Sequence, residues 1–290
     1  MKVLVSTDSS CLINNEMLKK YEINLFPLNV IIDGEEFLDG VTINQEQLCE
    51  AMRSGKNIKT STPAYGTIIE YFDGLFSKGY DHIIHFTISS KLSSMYSLFE
   101  TISKEEYEGK LTVIDGYSVS LIMLSHVLYA YEEVLKGTPV EEIYNNVQKR
   151  KESSAVYFVP ENLTALKNGG RISPAIAAIG NTIGIKPLIV LKEGALEKYK
   201  MIKNTKHTFT DKFDELIQEF KPVDYDYTLI QFDAKPTTLE YIYNHMAEVL
   251  GQDNVVEGIV PINVCAHCGP GTVGILVSPK INTKSIKQFM

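Results

Sequence analysis

The sequence predicts an α/β protein of two domains: an N-terminal domain with a mostly parallel sheet flanked by helices, and a C-terminal α/β domain with a mixed sheet, with a ligand between them. Three observations carry this expectation. Apolar, strand-like runs alternate with amphipathic helical runs through the first half of the chain, the order that builds a parallel sheet with helices on both faces. From about Ser154 the strand signals cluster toward the end instead. Short polar turns follow predicted strands, and open α/β sheets bind ligands beyond the carboxyl ends of their strands.

Taken in order, Lys2–Thr7 reads as an apolar strand, Asn14–Tyr21 as a short helix, and Leu25–Ile32 as a second strand ending at the Asp33-Gly34 turn. Asn44 with Gln47 three residues on forms a capping box, and Leu48, Ala51 and Met52 carry the apolar face to Gly55. Thr62 is expected to cap the next helix with Pro63 at its first position, burying Ile68, Ile69, Phe72 and Phe76. Strand Asp81–Thr87 feeds a Ser-rich turn and a helix marked by Met95, Leu98, Phe99 and Ile102. Leu111–Asp115 is another strand, followed by a long helix over Ser118–Lys136 and one opened by Thr138, Pro139 and Glu141. In the second half, strands at Tyr227–Phe232, Val255–Val264 and Thr272–Ser278 accompany helices at Pro174–Gly184, Phe209–Phe220 and Thr237–Leu250. The domain boundary is placed in Lys149-Arg150-Lys151-Glu152, a charged stretch with few reasons to be buried, giving domains 1–152 and 153–290.

Composition narrows the function classes. With 290 residues, 44% of them apolar and 22% charged, the chain can bury a substantial core. Its net charge of −8 opposes binding to nucleic acid, which needs clustered Lys and Arg to release counterions. No apolar run reaches the roughly 18 residues that span a bilayer, so stable membrane insertion is not expected. Met1–Asp8 runs straight into a strand without a leader-like apolar region, which points to the cytoplasm. Four cysteines, Cys11, Cys49, Cys265 and Cys268, are too few for a disulfide scaffold. Cys265-Ala-His-Cys268 lacks a second ligand pair for zinc and reads as a strand end rather than a redox helix start, so small buried side chains are expected and no metal.

The segments with chemistry in them are Thr60-Ser61-Thr62-Pro63, Ser89-Ser90-Lys91-Leu92-Ser93-Ser94 and His267-Cys268-Gly269-Pro270-Gly271. Each reads as an anion-holding turn. The first two place hydroxyls at helix starts, where free N–H groups and the positive end of the helix dipole favour a carboxylate or phosphate. The same residues also serve as ordinary caps and turn formers, and both roles are compatible. No Gly-rich phosphate loop accompanies them. Arg occurs only at 53, 150 and 171 while Lys supplies the other 25 cations, so Arg171 after two glycines stands out as an anion-binding fork or an inter-domain ion pair. His267 is aimed by the Gly-Pro-Gly turn and can donate to a carboxylate or phosphate, whereas His82, His85, His126, His207 and His245 carry no motif. Apolar stripes at Ile176, Ile179, Ile183 and Ile185 and at Leu121–Leu128 are equally consistent with a tunnel wall and with core.

These segments, with Thr7-Asp8-Ser9-Ser10 at the start and Lys167-Asn168-Gly169-Gly170-Arg171-Ile172-Ser173 in the second half, resemble the DegV family of bacterial lipid-binding proteins over nearly the whole chain. The resemblance implies a two-domain α/β protein holding one long-chain fatty acid, such as palmitate, stearate or oleate, between the domains. It implies no other cofactor, no catalytic residue of its own, and in some members a separate fatty acid kinase subunit that receives the acid and forms an acyl phosphate. Matched residue by residue, Thr60, Ser61, Thr62, Ser93, Ser94, Arg171 and His267 fall near the head group. The chain departs from the family's pattern at Ser94, where many members have Gly, at Thr62, where Gln is usual, and at Asp115-Gly116, where Asp-Ser is usual.

Two other classes of function remain open on the residues alone. A serine-dependent acyl hydrolase or transferase would use Ser61, Ser93 or Ser94 as nucleophile, yet none lies in G-x-S-x-G. A small-molecule kinase would need a phosphate loop or a metal-ligand cluster, and neither is recognisable.

Overall fold

The computed structural model describes residues 1–161, 163–172 and 184–290. Strand β1 (Val3–Asp8), apolar in its first half and polar from Ser6 on, is buried almost throughout, covered on both faces. It pairs in parallel with β2 (Asn24–Phe26) and β6 (His82–Thr87), and β6 pairs in parallel with β7 (Leu111–Asp115), giving a sheet of order β2-β1-β6-β7. A small antiparallel sheet, β4-β3-β5, comprises β3 (Asn29–Ile32), β4 (Glu35–Leu38) and β5 (Ile58–Ser61). The third sheet has six strands in the order β10-β9-β8-β13-β11-β12: β8 (Ala155–Val159), β9 (Lys186–Lys192), β10 (Ala195–Ile202), β11 (Tyr225–Phe232), β12 (Val255–Ile259) and β13 (Thr272–Pro279). Only β11 and β12 are parallel there, so the sheet is mixed as expected.

Among the helices, α1 (Asn15–Lys20) is capped by Asn14, expected to be its first residue, and α2 (Gln45–Arg53) by the reciprocal Asn44–Gln47 box, as expected. Helices α3 (Tyr65–Phe76) and α4 (Met95–Glu106) cover the parallel sheet, burying Ile68, Phe72 and Phe99. The long α5 (Ser120–Lys136) packs on β1 and on β13, and Leu121–Leu124, Val127 and Leu128 are all at most 1% exposed. It is thus core shared by both sheets, and none of Leu121–Leu128 lines the ligand cleft described below. Helices α6 (Val140–Lys151), α7 (Thr164–Gly169), α8 (Thr205–Glu219), α9 (Pro236–Leu250) and α10 (Ile262–Cys268) follow among the described residues.

Several expectations change on contact with the fold. The strand expected over Leu25–Ile32 is split at Pro27, which cannot donate to a ladder: β2 joins the parallel sheet and β3 the small one. Thr62 caps nothing. Helix α3 begins at Tyr65 with Ala64 at its cap, so Pro63 lies before the helix and Thr60–Thr62 belong to a strand end. The strand expected to Val264 stops at Ile259, and Pro261 starts α10, placing Cys265, His267 and Cys268 on a helix rather than a strand end. Local β-branched residues there are overridden by tertiary contacts.

The charged stretch Lys149–Lys151 is the last turn of α6 and is not loosely solvated. Arg150 donates to Ser125 Oγ, Pro279 O and Lys280 O, each at 3.0 Å, and stacks over Tyr129. Lys151 Nζ donates to Asp115 O at 2.9 Å. Strands β8, β9 and β10 have no counterpart in the sequence reading. The helix expected at Pro174–Gly184, with Ile176, Ile179 and Ile183, falls outside the described residues except for Gly184, and Ser173 also lies outside them.

Candidate ligand-binding cleft

The ends of β5, β6 and β12 converge where α5, α7 and α10 begin or end, and a cleft opens there between the parallel and the mixed sheet. Its free volume is about 150 Å³, smaller than the roughly 300–1,000 Å³ of small-molecule sites, so a long ligand requires the side chains of the wall to part. Its mouth holds Thr60, Ser61, Thr62, Ser93, Arg171 and His267. The rest of its lining is mainly apolar, with Leu28, Ile88, Val156, Leu191, Val260 and Leu276 among the wall residues and Ser120 and Asn263 among the polar exceptions. Six of the seven residues singled out in the sequence therefore share one site. The seventh, Ser94, lies outside the wall, exposed at the cap of α4, with its hydroxyl 3.1 Å from that of Thr62.

The hydroxyls at the mouth are not equivalent. His267 Nε2 lies 2.9 Å from Thr60 Oγ1, while His267 Nδ1 is buried with no partner among the described residues. A proton is better placed on the nitrogen that has an acceptor, so Nε2–H donates to Thr60 and the Thr60 O–H is left to point at a ligand. Ser93 Oγ accepts a hydrogen bond from Met95 N at 3.3 Å, which also leaves its O–H for a ligand. Ser61 is committed differently, donating to Glu36 Oε1 at 3.2 Å. Arg171 is exposed, its Nε donating to Leu92 O at 3.3 Å and its Nη1 to Gly169 O, so the guanidinium is tethered across the mouth.

The two glycines before Arg171 serve different ends. Gly170 ends α7 at φ +68°, in the left-handed region that glycine adopts freely. Gly169 makes room for histidine: a Cβ there would stand 2.2 Å from His267 Nδ1. Gly116 is similarly constrained, since a Cβ would meet Thr87 O at 2.5 Å and Met123 Sδ at 3.1 Å. The departure from Asp-Ser at 115–116 thus follows from how α5 packs here.

Two buried carboxylates, given no role in the sequence reading, hold the cleft backbone in place. Asp8 accepts from Ser10 N at 2.9 Å, from Ser10 Oγ, and from Ile88 N at 2.7 Å. Asp39 accepts from Ser9 Oγ at 2.9 Å and from Asn263 N at 3.1 Å, in the first turn of α10 where a carboxylate also meets the positive end of the helix. Burial pushes Asp8 up to about 6 and Asp39 up to about 7, with these hydrogen bonds opposing the shift. The signal for Asp8 was present, since Asp8-Ser9-Ser10 forms an Asx turn. Asp39 carried none, because its partners lie 30 and 224 residues away.

Comparison with known proteins gives the lineage. Residues 2–280 match the family described as "Uncharacterised protein, DegV family". The chain belongs to the DegV family. A DegV domain-containing protein of Clostridium acetobutylicum is 25% identical over 280 residues, covering 96% of this chain and 99% of that protein. The solved fold of a fatty acid binding DegV family protein from Streptococcus agalactiae superposes with a TM-score of 0.86 at 23% identity, over 97% of this chain and 99% of that one. A stearic acid-binding protein from Eubacterium ventriosum superposes with a TM-score of 0.81 at 22% identity, over 96% and 99% of the two chains. The two-domain DegV architecture is thereby established for this chain. Among the described residues no helix is long and apolar enough to cross a membrane, and no group of three or more His, Cys, Asp and Glu side chains is placed to hold a metal.

Burial, with the nearby Arg171 charge second, lowers His267 to about 4. The unfolded chain takes up this proton near 6.5, so the stability held by the neutral imidazole is complete above that pH and lost as pH falls toward 4. Compared with His267→Gln, the wild type should lose on the order of 2 kcal/mol between pH 7 and pH 4. Urea unfolding of both proteins at the two pH values measures that difference.

Proposed function

We propose that this DegV protein binds one long-chain fatty acid, of the palmitate, stearate or oleate kind, and hands it to a separate kinase subunit that makes the acyl phosphate. The carboxylate sits on the Thr60 and Ser93 hydroxyls beside Arg171, and the tail lies along the apolar wall. Residues 1–152 and 153–290 are the two domains that clasp it, and the protein works in the cytoplasm without chemistry or a cofactor of its own. The observation that carries the reading is that hydroxyls and Arg171 share one cleft with a lining that is otherwise mainly apolar. The ligands described for the S. agalactiae and E. ventriosum relatives support it.

Magnitudes agree. Burying about 14 methylenes at roughly 0.8 kcal/mol each gives on the order of 11 kcal/mol, from which association and ordering subtract several kcal/mol or more. Tight binding then needs no buried ion pair. A hydrolase reading fares worse. His267 pairs with Thr60 and not with Ser61, Ser93 or Ser94, its other nitrogen has no carboxylate beside it, and a pKa near 4 makes it a poor general base.

Protein purified from a bacterial host should release about one long-chain fatty acid per chain on organic extraction and mass spectrometry. Empty protein that also ignores micromolar oleate and palmitate would sink the proposal.

Because Ser93 keeps its O–H free and Ser61 does not, the two serines should separate. Ser93→Ala should weaken fatty acid binding by roughly tenfold or more, Ser61→Ala by no more than about threefold. A fatty alcohol of equal length should discriminate poorly between Ser93→Ala and wild type. Titration calorimetry of acid and alcohol reads both comparisons, and equal losses for the two ligands would assign Ser93 to pocket shape alone.

The isolated chain should form no acyl phosphate from ATP, Mg²⁺ and fatty acid. Product should appear when a fatty acid kinase catalytic subunit is added, and Arg171→Ala should lower that coupled rate more than it lowers lipid affinity. Product formed by the chain alone would refute the presenting role.

A further inference from the structure

The cleft carries two polar side chains that the mouth does not use. Asn263 lies on α10 four residues before His267, hence on the same helix face and about 6 Å along the axis from it. It lines the cleft and is only 4% exposed. Asp39 takes its backbone N–H, yet neither Oδ1 nor Nδ2 of its carboxamide has a partner among the described residues. Ser120, at the start of α5, also lines the cleft, is fully buried, and has a hydroxyl without a partner among the described residues.

The two groups belong to the interior. Leu121, next to Ser120, comes within 2.8 Å of where a Cβ on Gly258 would stand, so the start of α5 abuts the stretch that leads from β12 into α10. Their neighbours in the cleft wall, Val119, Val260 and Val264, are apolar. Ser120 is also held at φ +59°, a backbone conformation that a serine keeps only where its surroundings impose it. A saturated tail in this cleft would leave a buried donor, a buried acceptor and a buried hydroxyl facing methylenes. Buried polar groups are almost always paired in native structures, and leaving them unpaired is costly.

We infer that the preferred ligand is a hydroxylated long-chain fatty acid whose hydroxyl, set within the chain, pairs with Asn263 and Ser120 while its carboxylate occupies the mouth. This rests on the fatty acid reading above and narrows its ligand class. A hydroxyl donates once and accepts twice, so one group can answer both the carboxamide and the serine. An ordered water is the competing occupant, and it would confer no preference for an oxygenated chain.

Titration calorimetry of the full-length protein, freed of lipid, with stearate and with positional isomers of hydroxystearate tests the inference. At least one isomer with its hydroxyl in the carboxyl-proximal half should bind about tenfold tighter than stearate, a difference of 1.4 kcal/mol. In Asn263→Leu that advantage should fall to within about twofold, while stearate, now meeting an apolar wall, should bind about threefold tighter than in wild type. Ser120→Gly, which suits the positive φ, should remove part of the advantage. Stearate binding wild type as tightly as every isomer overturns the inference, and this comparison needs no variant to fold. If neither stearate nor any isomer binds at micromolar concentration, the fatty acid reading itself fails.

Discussion

Helix α5 has no solvent face over Leu121–Leu128, and that fact constrains everything around it. A helix stretch buried on every side, largely apolar but carrying Ser125 and His126, must be covered all round, and one sheet covers one side. The parallel sheet supplies β1 and the mixed sheet supplies β13, so neither domain can bury α5 alone. Arg150 reinforces the arrangement by bridging Ser125 on α5 to the carbonyls of Pro279 and Lys280 at the end of β13. Burial lowers its guanidinium to about 10, yet its three hydrogen bonds to protein oxygens keep the buried cation partnered. The cleft forms where this cover ends, and Val119 and Ser120 are the first residues it exposes to the ligand space.

An apolar cleft does not by itself hold its walls in register, since hydrophobic burial is non-directional. Direction comes from Asp8 and Asp39. Each spends a buried carboxylate on backbone N–H groups of cleft residues, Ile88 for one and Asn263 for the other. Desolvation raises both acids toward neutrality, and the hydrogen bonds offset part of that cost. Asp39 thereby fixes the start of α10, and helical periodicity then delivers Asn263 and His267 to the cleft on one face. Gly169 completes the placement by leaving space against the imidazole.

The mouth is built on the opposite electrostatic choice. Its donors are neutral hydroxyls, Thr60 among them beside a neutral His267, and Arg171, the cation among the described lining residues, stays exposed. A carboxylate can be held there without first desolvating a fixed positive charge, a penalty that often cancels the gain from a buried ion pair.

The alternating strands and helices of the first half, the capping box at Asn44 and the three polar segments that meet at the mouth are legible along the chain, because caps, turns and periodicity are local and written in adjacent residues. The sequence also carried the family resemblance, through motifs such as Gly169-Gly170-Arg171 and His267-x-Gly-Pro-Gly. The tertiary structure alone decided the rest. Pro27 parts what reads as one strand into two sheets, and long-range packing makes a helix of Ile262–Cys268 despite its strand-like composition. The pairing of Thr60 with His267 spans 207 residues, and that of Asp39 with Asn263 spans 224. Whether an apolar run lines a cavity or fills a core, as Leu121–Leu128 does, depends on what packs against it, and a single chain read in order contains no record of its neighbours in space.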